Sequence, residues 1–535
     1  MAPEQAALTA ISCLAFMVIV AWLSFRSANG RDRSGADDYF LAGRSLSGPF
    51  IAGSLLLTNL SAEQLIGLNG SAYGFNLSSM AWEVTAGVAI IVMALVFLPR
   101  YLQGGFTTLP QFLEQRFDAG TRRASALLFL LGYSLITIPA VLYAGALAVL
   151  QLFDLPGLLN LDRSQALLWI IVAIALIGAG YAVVGGLRAI AISDTWNGIG
   201  LLAMGVLIPV LGLVKLGAGD PLRGLSVLLT NHPQKLNAIG AADDPTPFAT
   251  LFTGMILANL FYWGTNQYVI QRTLGAASLA EGQKGVLLSG FFKLLVPFLM
   301  MLPGTIAYHL YGPDLARIDL AYPTLVADVL PTAFAGLFLA VLLGAVFSSF
   351  NSLVNSAATL FTLDLVVPLR RQATSNAAQV RIARIASSVI ALLAILMAPM
   401  LQYAPEGLWQ VIRVFTGFYN IPVIALVLAG LFTRRVPAAA AKAVLVFHVL
   451  AYGILRFVWP VDINFIHQYA LLFLAEVAIM ALFAVWRPRS ADVPQSSTAV
   501  PVDLTPWRHA RSVAALLLFG IIALYVLFSP LGVAA

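Results

Sequence analysis

Charged residues are scarce in this chain. Asp, Glu, Lys and Arg together make up 10% of its 535 residues, whereas soluble domains contain about 25%. Hydrophobic residues account for 60% of the sequence, and the mean hydropathy is +0.89. This composition excludes an ordinary water-soluble protein and indicates a polytopic membrane protein.

Cysteine and histidine are also rare. The single cysteine, Cys13, excludes an intramolecular disulfide. The five histidines are scattered without the spacing of a metal site, and no nucleophile lies beside a base in a recognisable motif. We therefore expect no enzyme activity. The net charge of +6 does not indicate nucleic acid, because membrane proteins carry excess Lys and Arg in their cytoplasmic loops.

Apolar runs of about 20 residues recur along the whole chain with no long hydrophilic block between them. We predict an all-α polytopic membrane protein with about fourteen transmembrane helices in one domain, residues 1–535. The predicted spans lie near 6–25, 49–72, 76–98, 123–153, 164–184, 187–215, 247–270, 285–310, 327–366, 382–401, 406–432, 437–458, 462–485 and 510–530.

The distribution of basic residues tests this arrangement. Loops on alternate sides of the predicted membrane contain 22 and 5 of the Lys and Arg residues. Because cytoplasmic loops collect Lys and Arg, the richer set is assigned to the inside. An even number of helices with both termini outside follows from this pattern.

Ionisable residues inside the predicted spans are few and costly, at about 2.5 to 3.5 kcal/mol each on insertion scales. Each one could be half of a structural ion pair between helices, and Glu476, alone in an apolar run, is interpreted in that way. The others are candidate functional residues: Glu63, Glu83, Asp194, Lys293 and Arg413.

Two predicted spans are interrupted by polar residues and glycine. The second span contains the polar stretch 58–64 followed by Gly67 and Gly70, and the seventh contains a similar stretch near 259–267. An interrupted helix frees backbone carbonyls that can bind a small cation, and two such helices about five spans apart are typical of secondary transporters. The alternative is a pair of glycine-rich helices that pack closely.

The ninth predicted span carries small polar residues every three or four positions, from Ala345 through Ser348, Ser349 and Ser352 to Ser356. Such a stripe is often only a packing surface. The adjacent hydroxyls of Ser348 and Ser349 could instead complete an oxygen shell with carbonyls of the interrupted second span. A shell without a full negative charge suits sodium better than calcium.

Several strings in the chain resemble those of the solute:sodium symporter family, in particular its bacterial sodium/glucose (galactose) branch. They are DYFLAGRSL at 38–46, NLSAEQ at 59–64, GGLR at 185–188 with Asp194, NLFYWG at 259–264, NQYVIQRT at 266–273, KLLVPF at 293–298, and Ser348-Ser349 with Asn355-Ser356. The resemblance implies an amino-acid-transporter type of fold in the bacterial inner membrane. Two inverted five-helix repeats, about 49–215 and 247–432, would have one extra helix before them and three after.

The resemblance also implies two ligand sites. By position, the sugar contacts would be Gln64, Glu83, Asn259 and Lys293. Tyr262 would cover the sugar from the inside with Trp263 beside it, unless both are simply core aromatics. The sodium ligands would be the backbone carbonyls of Leu57, Leu60 and Ala345 and the hydroxyls of Ser348 and Ser349, with Asp194 on the exit path of the ion.

Two positions depart from the family pattern. Arg413 stands where sugar transporters of this family usually have Gln, and Ala86 stands where they usually have Ser. A guanidinium favours carboxylate and other anionic groups, which makes a hexuronate plausible. Alternatively, Arg413 pairs with a carboxylate such as Glu83 and the sugar is neutral.

We therefore predict sodium-coupled sugar import by alternating access. Sodium is the coupling ion and no other cofactor is expected; the expected partners are a small solute, sodium and the lipid bilayer, with the oligomeric state left open. Within the same class, an anionic sugar, sialic acid or a monocarboxylate is the alternative substrate. An ion channel is the alternative from another class, although the chain contains no string resembling a selectivity filter.

Overall fold

Every regular element in the described part of the chain is a helix, as expected where a bilayer offers no partners for backbone polar groups. The structure is a computed structural model that describes residues 9, 11–20, 22, 41–152, 157, 160–370, 374–403, 408–489 and 502–535. The side chains of residues 42, 151–152, 179–193, 332–333 and 408–410 are outside this description, as are the N-terminus and parts of the predicted first span.

We number the helices used below in chain order. They are α1 Ile11–Val20, α2 Gly48–Asn59, α3 Ala62–Gly74, α4 Leu77–Gly104, α5 Leu109–Arg116, α6 Ala119–Leu150, α7 Arg163–Gly178, α8 Asp194–Leu216, α9 Pro221–Thr230, α10 Gly254–Gly264, α11 Gln267–Leu274, α12 Leu279–Tyr311, α13 Ala321–Val329, α14 Phe334–Leu369, α15 Asn376–Tyr403, α16 Val411–Phe432, α17 Ala438–Val458, α18 Phe465–Trp486 and α19 Ala510–Leu527.

Ten of the described helices are long and apolar enough to cross a membrane, and the bent pair α2–α3 brings the number to eleven. The sequence predicted about fourteen. The three remaining predicted spans correspond to α1, to α7 and to the divided pair α10–α11, whose described pieces are short. Helical residues continue between α7 and α8, so the boundary predicted near residue 185 does not appear.

The second predicted span is divided into α2 and α3, which meet at an angle of 58°. Leu60 and Ser61 leave the helical conformation at the break, with ψ angles of 75° and 171°. The seventh predicted span is divided in the same way, because Asn266 is extended between α10 and α11. Both interruptions predicted from polar residues and glycine are therefore present in the backbone.

Burial separates a central helix from peripheral ones. Of the most apolar window of α14, 89% is buried, compared with 22% for α18 and for α19. Large apolar side chains such as Trp169, Leu474 and Phe519 are exposed on the outside of the bundle. A fold that exposes leucine and tryptophan in this way presents them to lipid.

Candidate substrate and sodium sites

An internal cavity of about 60 Å³ lies at the break between α2 and α3. On a scale of about 10 to 15 Å³ per water, it has room for a few water molecules. Eight helices and the two breaks contribute its walls. The lining residues are Asn59, Ser61, Glu63, Gln64, Trp82, Thr137, Ala258, Phe261, Tyr262, Asn266, Tyr268, Ile412, Arg413, Thr416, Tyr419, Asn420 and Tyr469.

Three of the predicted substrate residues line this cavity: Gln64, Tyr262 and Arg413. The Gln64 amide donates to a Glu83 carboxylate oxygen at 3.0 Å. The other oxygen of Glu83 forms a buried ion pair with Lys293. The predicted residues Gln64, Glu83 and Lys293 are thus brought together from α3, α4 and α12.

Two further predicted residues lie around this group. Trp263 contacts the Tyr262 ring, with ring centroids 5.6 Å apart, and the Lys293 ammonium lies 5.4 Å from the Trp263 centroid. Asn259 on α10 donates to the Thr85 hydroxyl at 2.9 Å. Its predicted role would therefore require the Asn259 amide to exchange this hydrogen bond for one to a ligand.

The guanidinium of Arg413 lies over an aromatic ring. Its guanidinium carbon is 4.5 Å from the centroid of Trp82, a distance at which a cation is attracted to an indole face. Glu83, the carboxylate suggested as its partner, forms an ion pair with Lys293 and also interacts electrostatically with Arg413. Glu63, which lines the cavity together with Arg413, also interacts with it electrostatically.

Four residues that line the cavity each have a buried acceptor oxygen without a hydrogen-bond partner among the described residues. They are Asn59, Glu63, Gln64 and Asn420. A buried acceptor without a partner costs about 1 to 3 kcal/mol. The cavity is therefore suited to a ligand that donates several hydrogen bonds.

A second cavity of about 580 Å³ also has Trp82 in its lining. Its lining includes Asp243, Asp319 and Arg456, and Trp82 also lines the smaller cavity. Phe465 stacks on Trp82 with ring centroids 6.3 Å apart and an angle of 11°. Trp82 is thus a lining residue that the two cavities share.

The predicted sodium residues lie where α14 passes the break. The Ser349 hydroxyl is 3.5 Å from the carbonyl oxygen of Leu57 at the end of α2. Ala345, Ser348 and Leu60 are all buried. A hydroxyl and a carbonyl from two different helices thus meet, as a shared cation would require.

Asp194 lies beside this region, at the start of α8. It accepts a hydrogen bond from the Ser54 hydroxyl at 2.7 Å. Arg272 donates to the same hydroxyl at 2.7 Å and approaches Asp194 to 3.8 Å. Ser54 is one turn of α2 before Leu57, so the carboxylate lies close to the predicted ion position.

Several cavity residues were not identified from the sequence as ligands. Glu63 had a signal, since it is an ionisable residue at mid-membrane, whereas Trp82 and Tyr419 had none that separated them from core aromatics. Tyr469 lies on α18, outside the two predicted repeats. Its approach to the cavity depends on helix packing, which the sequence pattern does not encode.

Known proteins resemble the chain over almost its whole length. The model of the sodium:solute symporter family matches residues 39–446. The chain is 41% identical over 522 residues to the uncharacterized symporter YidK of Escherichia coli strain K12, covering 98% of this chain and 91% of that protein. It is 30% identical over 550 residues to the sodium/glucose cotransporter of Vibrio parahaemolyticus, covering 97% and 98%.

Solved structures show the same fold. The substrate-bound outward-open state of a sodium-coupled sialic acid symporter aligns with a TM-score of 0.76 at 21% identity, covering 91% of this chain and 99% of that one. The family match extends over both broken helices and over α14, which carries the serine pair. The chain belongs to the sodium:solute symporter family.

Proposed function

We propose that this protein imports a neutral sugar or related polyol by coupling its entry to that of sodium. The observation that carries the proposal is the set of four cavity-lining residues that each have a buried acceptor oxygen without a hydrogen-bond partner among the described residues. The hydroxyl groups of a polyol would donate to these oxygens and so replace the water lost on entry. Relatives of the chain include the sodium/glucose cotransporter and sodium/myo-inositol cotransporters, whose named substrates are neutral polyols.

The balance of charge supports a neutral substrate. Glu83 and Lys293 neutralise each other, and the cavity wall contains both Glu63 and Arg413, which attract each other. A carboxylate on the sugar would meet Glu63 as well as Arg413. Gln64, Glu83, Asn259 and Lys293 are the proposed sugar contacts, with Tyr262 and Trp263 covering the sugar from the cytoplasmic side.

An anionic sugar is the second candidate substrate. The guanidinium of Arg413 lines the cavity, and a carboxylate is the group that an arginine recognises best. The sialic acid symporter, which shares this fold, is named for an acidic sugar. Competition between galactose and galacturonate separates the two candidates.

For sodium, we propose the carbonyls of Leu57, Leu60 and Ala345 and the hydroxyls of Ser348 and Ser349 as ligands, with Asp194 on the way to the cytoplasm. The contact between Ser349 and Leu57 supports this assignment. One sodium crossing about 100 mV releases about 2.3 kcal/mol, and a tenfold gradient adds about 1.4 kcal/mol. At one sodium per sugar, this would support accumulation of roughly several hundred-fold.

The proposed architecture is a single domain of fourteen helices. Inverted five-helix repeats near 49–215 and 247–432 would follow one helix and precede three others. The positions of the two broken helices, α2–α3 and α10–α11, each at the start of a repeat, support this division. We place the protein in the bacterial inner membrane with both termini outside, on the basis of the charge pattern of its loops.

The experiment is uptake into proteoliposomes with and without an inward sodium gradient. Radiolabelled galactose, glucose, myo-inositol and galacturonate serve as probes. We expect one of the neutral probes to accumulate above its external concentration with sodium and not with potassium. Equal uptake under both conditions, or flux that never exceeds equilibration, would reject symport and favour the channel.

A further inference from the structure

The helices that follow the second proposed repeat contact the backbone beside the substrate cavity. On α18, Phe465, Tyr469 and Glu476 lie on one helix face, since their spacing is 4 and 7 residues. Phe465 packs behind Trp82, while Tyr469 itself lines the cavity. One face of α18 therefore contacts both the cavity and Trp82, the aromatic ring over which the Arg413 guanidinium lies.

Side chains of α17 and α18 donate hydrogen bonds to three carbonyls of α16. The Tyr469 hydroxyl donates to the Arg413 carbonyl at 2.8 Å, and the Tyr452 hydroxyl donates to the Val414 carbonyl at 2.9 Å. The His448 ring nitrogen Nε2 lies 2.9 Å from the Gly417 carbonyl. These bonds fix the segment of α16 from which the Arg413 side chain projects.

His448, which contacts the Gly417 carbonyl, is itself paired with the buried side chain of Glu476. Nδ1 of His448 lies 2.5 Å from Glu476 Oε1, and both side chains are fully buried. Because the Gly417 carbonyl can only accept, Nε2 must carry a proton. A second proton is shared between Nδ1 and the carboxylate, so that the pair is neutral overall. The pair can therefore remain in an apolar environment without an unbalanced charge.

The local sequence of α16 permits this close approach. A Cβ atom at Gly417 would lie 2.5 Å from the Tyr452 hydroxyl oxygen. Glycine thus leaves room for the tyrosine to reach the helix backbone. The Tyr452 and His448 rings stack with centroids 5.7 Å apart, and Tyr452 and Tyr469 are 5.9 Å apart, so the four side chains form one connected group.

We propose that Tyr469 is a specificity-determining residue of the substrate cavity, and that Tyr452 and the His448–Glu476 pair are positioning residues for Tyr469 and Arg413. This inference rests on the proposed function, because it assumes that the cavity holds the sugar. According to this inference, α17 and α18 contribute to substrate specificity although they lie outside the proposed repeats. The group holds backbone carbonyls rather than the guanidinium itself, so it acts on where Arg413 lies and not on its charge.

The first test removes one hydroxyl. Tyr469→Phe should raise the half-saturation concentration for sugar about three- to ten-fold, the change expected for one hydrogen bond. It should also alter the uptake ratio of galactose to glucose, while the half-saturation concentration for sodium and the maximal rate stay unchanged. The probe is whichever of radiolabelled galactose, glucose, myo-inositol and galacturonate the wild type accumulates.

The matched control is Tyr73→Phe. Tyr73 is buried and its hydroxyl also donates to a backbone carbonyl, that of Gly312, at 2.6 Å. Its loss should leave the sugar half-saturation and the galactose-to-glucose ratio as in the wild type. If Tyr73→Phe changes the sugar half-saturation concentration and the galactose-to-glucose ratio as much as Tyr469→Phe does, the effect is a general loss of stability. The inference would then be wrong.

The second test separates positioning from proton transfer. In Glu476→Gln the amide can donate to Nδ1 of a neutral His448, so the hydrogen bonds are kept and transport should match the wild type. Glu476→Ala removes the partner of Nδ1 and should raise the sugar half-saturation without changing that for sodium. Abolished transport in a correctly inserted Glu476→Gln protein would show that the carboxylate carries a proton and would overturn the positioning role.

Failure of this inference differs from failure of the proposed function. If the wild type accumulates none of the four probes, the proposed sugar transport is wrong and the inference falls with it. If the wild type accumulates a probe and Tyr469→Phe has an unchanged half-saturation and an unchanged ratio, only the inference is overturned. Should Glu476→Ala fail to insert, Tyr469→Phe and Glu476→Gln still decide the outcome.

Discussion

At the scale of single residues, the contact between Ser349 and Leu57 connects the two helices that would share a sodium ion. The hydroxyl and the carbonyl oxygen are 3.5 Å apart, which is long for a direct hydrogen bond and leaves both oxygens free to turn toward a cation. Such an ion would hold α14 against the break and so favour one conformation of the transporter.

Ser349→Ala should raise the sodium concentration for half-maximal uptake. Loss of a hydroxyl ligand to a charged ion is worth about 1.5 to 3 kcal/mol, roughly a ten- to a hundred-fold change. Ser348→Ala should have a smaller effect in the same direction. Uptake is measured over a range of sodium concentrations, with Ser387→Ala, a buried serine on α15, as the control. If neither Ser348→Ala nor Ser349→Ala changes the sodium dependence of uptake, these two serines are not sodium ligands.

Substitution of Glu63 and substitution of Arg413 should have opposite effects on the preference for an anionic over a neutral sugar. Glu63→Gln removes a negative charge that would repel a sugar carboxylate in the cavity, so the affinity for galacturonate relative to galactose should rise about ten- to a hundred-fold. Arg413→Gln should shift the ratio the other way. The measurement is inhibition of uptake by each sugar at equal expression. If galacturonate already outcompetes galactose in the wild type, the anionic candidate replaces the neutral one.

At the scale of helices, the close approach of α10 to α18 explains why residue 254 on α10 is a glycine. A Cβ atom at Gly254 would lie 1.8 Å from the backbone oxygen of Ile466, which a rotamer change cannot relieve. Gly198 has no such restriction, since its nearest neighbour, a leucine side-chain atom, would be 3.4 Å away. The two glycines therefore differ in what an added methyl group would meet.

Gly254→Ala should lower the melting temperature of the purified protein in detergent, because overpacking of this kind costs about 1 to 3 kcal/mol. It should also weaken sugar uptake, since α18 would be displaced together with Tyr469. Gly198→Ala is the control and should melt as the wild type does. Equal melting temperatures for the two variants would show that α10 and α18 pack less tightly than described.

At the scale of the whole molecule, the charge pattern of the loops predicts the orientation. On a Cys13→Ser background, Ala535→Cys and Thr230→Cys should react with a membrane-impermeant maleimide in spheroplasts. Arg434→Cys should react only after permeabilisation. All three positions are exposed, so accessibility depends on the membrane alone. Labelling of Arg434→Cys in intact spheroplasts would reverse the proposed topology.

The sequence by itself determined the class of protein, the approximate positions of most helices and the two helix breaks, although not the boundary predicted near residue 185. These features are local: hydrophobic length, helical periodicity and polar interruptions are read within about 30 residues of chain. The serine pair on α14 and its family resemblance belong to this level as well. Glu476, interpreted from its isolation as half of a buried ion pair, is paired with His448.

The partners of the buried polar residues were decided only by the tertiary structure. The carboxylate of Glu83 forms an ion pair with Lys293, 210 residues away. Tyr469 reaches the Arg413 carbonyl from a helix outside the proposed repeats. Sequence patterns indicate which face of a helix is polar, but they do not indicate which other helix that face meets. The packing of many apolar helix surfaces decides which helices become neighbours. Each buried polar residue must then find its partner within the arrangement that buries those apolar surfaces best.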